Sequence, residues 1–297
     1  MSDRRALLIV NAKSRSGALV LENAPAELRA QGIEPLHRES PDREAMSPLI
    51  VAHAGEVDRV VIAGGDGTLN AAARGIIETG LPLGILPAGT ANDLARTRGI
   101  PEDCGEAARI VAEGHTRRID MGLVNESPFF NVASIGLSAE LARRLTREVK
   151  KRYGRLGYAL TAISVLAQAK PFRAFIAEPG ARPTRVKTLQ IAIGNGRYYG
   201  GGMAVEKDAD IDDGHLDLYS LEFQRAWKLA LMARSFRYGE HGAWKEVRAT
   251  RGTAFEIRTR RPRSINADGE IIGQTPARFA IMPKALTVFV PAGARAP

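Results

Sequence analysis

In the amino-terminal part of the chain, four short apolar runs at 6–10, 33–37, 59–63 and 83–86 alternate with stretches of helical period at 20–31, 42–54 and 68–79. Strand, helix and strand in repetition predict parallel pairing through crossover helices, hence an open α/β sheet. Ligands of such sheets sit outside the carboxyl ends of the strands, which directs attention to the loops after Val10, Ala63 and Leu86. After about Asp120 the texture changes to strand-like runs at 129–133, 188–193, 215–219, 254–259 and 277–282, with helical stretches only near 138–147 and 156–169. This predicts a second, mainly antiparallel β-sandwich domain. The expected fold class is therefore α/β plus β. Residues 1–124 form the first domain, the tail 284–297 returns to it, and residues 125–283 form the second.

A chain of 297 residues suits two domains, each with its own core. The single cysteine, Cys104, allows neither an internal disulfide nor a thiolate metal cage. The first apolar run stops at Asn11, too short for a signal peptide, and 156–169 is too short and polar to span a bilayer. A cytoplasmic protein is the expectation. The formal net charge of +9 is unevenly spread: residues 1–124 carry 14 basic and 17 acidic side chains, the remainder 28 and 16. A basic excess of this size suits a partner dense in phosphate, either an anionic membrane surface or a nucleic acid.

The loop after the third run reads Gly64-Gly65-Asp66-Gly67-Thr68-Leu69-Asn70. Three glycines in four positions allow a sharp turn and close approach to a ligand, Thr68 is placed to cap the next helix, and the amides suit a phosphate. A plain strand-to-helix turn would use the same glycines, but a carboxylate among phosphate-facing amides is costly unless a cation bridges it. A second loop, Pro87-Ala88-Gly89-Thr90-Ala91-Asn92-Asp93, repeats glycine, hydroxyl and acid. Asp93 there serves either a bound cation or the helix dipole. A third, from Asn11 to Gly17, adds Lys13 and Arg15. Neither a Walker A loop nor a Rossmann fingerprint is present.

Gly64-Gly65-Asp66-Gly67-Thr68 together with Gly89-Thr90-Ala91-Asn92-Asp93 resembles the catalytic domain of the diacylglycerol kinase family, in particular its bacterial lipid kinase branch. The first element alone is also similar to NAD kinases and phosphofructokinases; the pair is far more specific. The likeness continues in Gly200-Gly201-Gly202-Met203, Asp212-Asp213-Gly214-His215-Leu216-Asp217 and Asp268-Gly269-Glu270, and so covers nearly the whole chain. One departure is Ala12, where the family more often has proline. The resemblance implies an ATP- and Mg²⁺-dependent transfer to a lipid hydroxyl. It assigns ATP binding to Asn11, Ser40, Gly64, Gly65, Asp66, Gly67, Thr68, Leu69, Asn70 and Thr90. Asp66 and Asp93 would position catalytic Mg²⁺, and Glu270 would act as general base in a cleft between the domains. It further implies a structural Mg²⁺ held by the Asp213 carboxylate and the main-chain oxygens of Asp210 and His215. Read alone, the crowd of Asp208, Asp210, Asp212, Asp213 and Asp217 is a cation site or a solvated loop, and Asp268-Gly269 is a hairpin turn.

Arg143, Arg144, Arg147, Lys150, Lys151, Arg152 and Arg155 precede the apolar stretch 156–169, a pairing that suits docking on anionic lipid or, more simply, a solvated helix face. Arg258, Arg260, Arg261 and Arg263 form a second basic cluster. The partner expected is a membrane lipid substrate, with peripheral contact to an anionic surface. Nucleic-acid binding lacks a recognition motif and a base-stacking platform. The rivals are an NAD kinase-like small-molecule kinase and a non-enzymatic membrane- or nucleic-acid-binding protein. The lipid accepted and the oligomeric state are left open.

Overall fold

The computed structural model describes residues 4–10, 17–40, 42–144, 164–165, 168–195, 198–199, 203–204, 211–223 and 246–293. It divides into two compact units, residues 1–121 with 283–297, and residues 122–282.

The first unit contains β1 (Arg4–Val10), α1 (Gly17–Ala30), β2 (Ile33–Glu39), α2 (Met46–His53), β3 (Arg59–Gly64), α3 (Asp66–Thr79), β4 (Leu83–Pro87), α4 (Asp93–Thr97) and α5 (Cys104–Glu113). Its sheet runs β2-β1-β3-β4, all parallel, with Leu8 opposite Val61 and Ile62 opposite Ile85. Ala6 to Ile9, Val60 to Ala63 and Leu83 to Leu86 are buried, as strands covered on both faces must be. Helices α2 and α3 pack closely: a methyl on Gly75 would lie 2.6 Å from the Ser47 carbonyl, and Ser47 Oγ donates to Ala71 O at 2.9 Å.

The chain leaves this unit along β5 (Thr116–Val124). Neither α5 nor β5 is marked in the sequence reading. Helix α5 is nonetheless well specified: Asp103 caps it by accepting from the Glu106 amide at 2.9 Å, and Gly114 ends it in the left-handed region. In β5 the charges of Arg117, Arg118 and Asp120 hide the strand pattern. Asp120 accepts from the Lys284 amide at 2.7 Å, Arg118 donates to the Lys284 carbonyl, and Val288 pairs in parallel with Leu83. These bonds hold the tail to the first unit.

The second unit contains β6 (Ser127–Phe129), β7 (Val132–Gly136), α6 (Leu137–Arg144), β8 (Phe172–Ala177), β9 (Thr184–Thr188), β10 (Gln190–Gly194), β11 (Tyr198–Tyr199), β12 (Met203–Ala204), β13 (Leu216–Leu221), β14 (Val247–Gly252), β15 (Ala254–Thr259), β16 (Ser264–Ala267), β17 (Glu270–Gln274) and the start of β18 (Ala277–Phe289). One sheet has the order β14-β13-β10-β7-β16-β17 and is antiparallel throughout; in the other, β18, β15, β8 and β9 pair antiparallel in turn. Phe129, Ile135, Ile191, Leu218, Phe255 and Phe279 belong to the core they share. This is the expected sandwich.

Two runs read as single strands are broken. The run 188–193 changes sheets at Leu189, where Thr188 Oγ1 bonds Gln190 and the Leu221 carbonyl. The run 129–133 is split at Phe130 and Asn131, whose amides turn to a side chain instead of a strand partner.

Candidate active site

The glycine loop after β3 and the loop after β4 lie back to back. A methyl on Gly65 would sit 2.8 Å from Gly89 Cα, and one on Gly89 would sit 2.5 Å from Gly65 Cα. The Ala88 amide donates to the Gly64 carbonyl at 3.0 Å, extending the strand pairing into the loops. The glycines are therefore required first by each other, because only chains without Cβ atoms approach so closely.

Asp66 fastens the pair. Its Oδ2 accepts from the Asp93 amide at 3.1 Å and its Oδ1 from the Leu94 amide at 3.2 Å. Backbone donors at the start of α4 stabilise this carboxylate. Thr68 is buried in the first turn of α3, and the helix is capped by Gly65, so Thr68 is not the cap. Nor is Thr90, which is exposed; Asn92 precedes α4 with φ 51°, a conformation asparagine tolerates better than most residues. Asn92 Oδ1 accepts from the Gly89 amide at 2.9 Å and its Nδ2 donates to the Gly89 carbonyl at 3.1 Å, latching the loop. Asp93 is buried. Leu69 is also buried, and Asn70 half-buried. Ser40, before α2, donates to the Asp42 carbonyl at 2.6 Å. Arg43 approaches the same loop, 3.2 Å from where a Gly67 methyl would stand; nothing in the sequence signals it. Asn11 lies outside the described residues, as do Asp210 and Gly200 to Gly202.

In the second unit Asp268 and Gly269 have φ 47° and 92°, both positive as a tight two-residue hairpin demands. Asp268 is the anchor of this turn. Its carboxylate accepts from the amides of Phe130 at 2.7 Å, Asn131 at 3.0 Å and Val132 at 3.2 Å, and its own amide donates to the Val132 carbonyl. Glu270, two residues on, is exposed at the start of β17. The sequence singles out Glu270 and leaves Asp268 as a turn former; the structure shows Asp268 to be the group that fixes the turn.

Asp213 Oδ1 accepts from the His215 amide at 2.9 Å, and Oδ2 pairs with Arg251. A divalent cation on Asp213 would share the carboxylate with that arginine or displace it. Among the described residues, no three or more His, Cys, Asp or Glu side chains converge as a metal site. Of the basic run, Arg143 is described and pairs with Glu140, while residues 145–155 lie outside the described residues, as does most of 156–169. No helix among the described residues is long and apolar enough to cross a membrane.

Paired Gly-Asp loops at the carboxyl edge of a parallel sheet, followed by a β sandwich, define a class of kinase. Residues 5–124 match the diacylglycerol kinase catalytic domain, and residues 131–290 match the YegS C-terminal NAD kinase beta sandwich-like domain. The chain belongs to this diacylglycerol kinase family, in its YegS-like lipid kinase branch. It is 32% identical to a "Probable lipid kinase YegS-like" of Stenotrophomonas maltophilia, over 99% of this chain and 98% of that one. It is 30% identical to a "Diacylglycerol kinase" of Mycobacterium tuberculosis, over 95% and 94%. The fold is shared with a crystal structure of a diacylglycerol kinase from Bacillus anthracis, with a TM-score of 0.76 over 99% of this chain and 100% of that one at 20% identity.

Proposed function

We propose that this protein transfers the γ-phosphate of ATP, supplied with Mg²⁺, to the hydroxyl of a membrane lipid. The observation that carries this reading is the clasp of two glycine loops by Asp66 at the carboxyl ends of β3 and β4, a location and backbone geometry suited to phosphate oxygens. The relatives named as lipid kinases support a lipid acceptor. In this reading Gly64 to Asn70 and Thr90, with Asn11 and Ser40, hold the nucleotide. Asp66 and Asp93 would hold Mg²⁺, which would supply charge neutralisation for the phosphates. Glu270 accepts the proton as the lipid oxygen bonds to the γ-phosphorus and the bond to the ADP oxygen breaks. Diacylglycerol, phosphatidylglycerol, a sphingoid base and a monoacylglycerol are the acceptors to compare. The protein acts from the cytoplasm, attached peripherally to an anionic membrane through its basic surface.

The family's structural Mg²⁺ on Asp213, His215 and Asp210 is part of the same proposal. If it forms, Mg²⁺ raises the melting temperature of the wild type by mass action and that of Asp213→Ala less. Equal shifts in both place the stabilising ion elsewhere. The reaction itself is tested with γ-labelled ATP, a panel of the four lipids in vesicles, and NAD as a soluble acceptor. Label entering a lipid supports the reading; label entering NAD and no lipid overturns it.

A further inference from the structure

At the opposite end of β7 and β16 from the Asp268 turn, the second unit carries two adjoining cavities of about 440 and 350 Å³. Gly136, which ends β7, and Ser264, which opens β16, line the larger. Phe172, Arg261 and Arg263 line both. Arg143 and Lys170 complete the cationic lining of the larger cavity, Arg173 and Arg260 that of the smaller. Among the described residues Glu140 is the only acid lining either, and it is engaged by Arg143 at 2.9 Å. The larger cavity also has an apolar wall that includes Leu137, Val165 and Leu189.

Arg263 is built into this place. Its amide donates to Thr275 Oγ1 at 3.0 Å, and its carbonyl accepts from the Thr275 amide at 2.9 Å. Its guanidinium lies over the ring of buried Phe172, 4.0 Å from the centroid. Among the described residues no carboxylate stands within ion-pair distance of it. Burial lowers its pKa from the ordinary arginine value, against the pull of Glu140. A half-buried cation with a free planar fork favours a bidentate anion.

We infer that these cavities form a binding site for one anionic phospholipid, its phosphate on Arg261 and Arg263 and its glycerol and first chain carbons on the apolar wall. Six cations against one paired acid among the described residues set the charge of the ligand, and the apolar wall sets it apart from a free phosphate. None of the lining residues is assigned to the proposed active site, so binding is read directly and does not depend on phosphoryl transfer.

The test uses the full chain and dihexanoyl phosphatidic acid below its micelle concentration, with binding followed by calorimetry. Arg263→Gln weakens binding about tenfold or more, the loss expected of a charge-assisted contact. Glu140→Gln tightens it, an opposite change that no general loss of structure produces. Dihexanoyl phosphatidylcholine binds weakly or not at all, because its choline meets the arginines. Unchanged affinity in Arg263→Gln overturns the proposal and places the lipid elsewhere, the active site included. Equal affinity for inorganic phosphate overturns the lipid assignment.

Discussion

At the scale of single residues, the two aspartates that matter most are held by backbone amides. Asp66 accepts two and Asp268 three. Each is thereby structural before it is chemical. Asp66→Asn replaces one acceptor oxygen with a donor that faces an amide, so the variant loses about 1–3 kcal/mol of stability as well as activity. Thermal melting and turnover measured together check this. Loss of activity at an unchanged melting temperature would show that the clasp contributes nothing to stability. Cys104 gives a pH dependence. It opens α5, where the helix dipole favours a thiolate. Burial dominates instead, helped by Glu27 and Asp103, and pushes the thiol from 9.0 up to about 11. The folded state then binds the proton more tightly than the unfolded chain, so stability falls as pH rises from about 9 to 11 and is unaffected below. Alkylation by iodoacetamide near pH 8 is slower than for a free thiol by up to about 100-fold; a rate equal to that of a free thiol contradicts this.

At the scale of elements, the strands β1 to β4 and their helices are legible because each carries its own apolar run and period. The glycine loops are legible because their composition is unusual over a few residues. Contacts that join distant segments leave no such mark. Asp66 meets α4 across 27 positions and Asp268 meets Phe130 across 138, so the sequence shows the acids and not their partners. The approach of Arg43 to Gly67 is hidden for the same reason. Gly65 shows how the structure changes an expectation. Read from sequence, Gly65→Val blocks a phosphate path. In the structure its Cβ meets Gly89 at 2.8 Å, so the substitution forces the loops apart and costs about 1–3 kcal/mol through overpacking. A lowered melting temperature without ATP supports this; an unchanged one with lost ATP binding restores the simpler reading.

At the scale of the whole molecule, the chain joins an α/β unit with parallel strands to a β sandwich, and the basic excess lies in residues 125–297. Composition made that asymmetry visible at once, but the lipid kinase reading rests on short motifs in both parts of the chain. The proposed reaction assigns roles to Asp66 in the first unit and to Glu270 in the second. The most direct measurement is therefore steady-state transfer of label from ATP to lipid by wild type and Glu270→Gln, with ATP binding followed in parallel. Glutamine leaves the Asp268 turn intact but cannot take the hydroxyl proton, so kcat and kcat/KM fall together by about 10²–10⁴-fold while ATP binding and melting temperature stay at wild-type values. Transfer to lipid at the wild-type rate by Glu270→Gln would contradict the account.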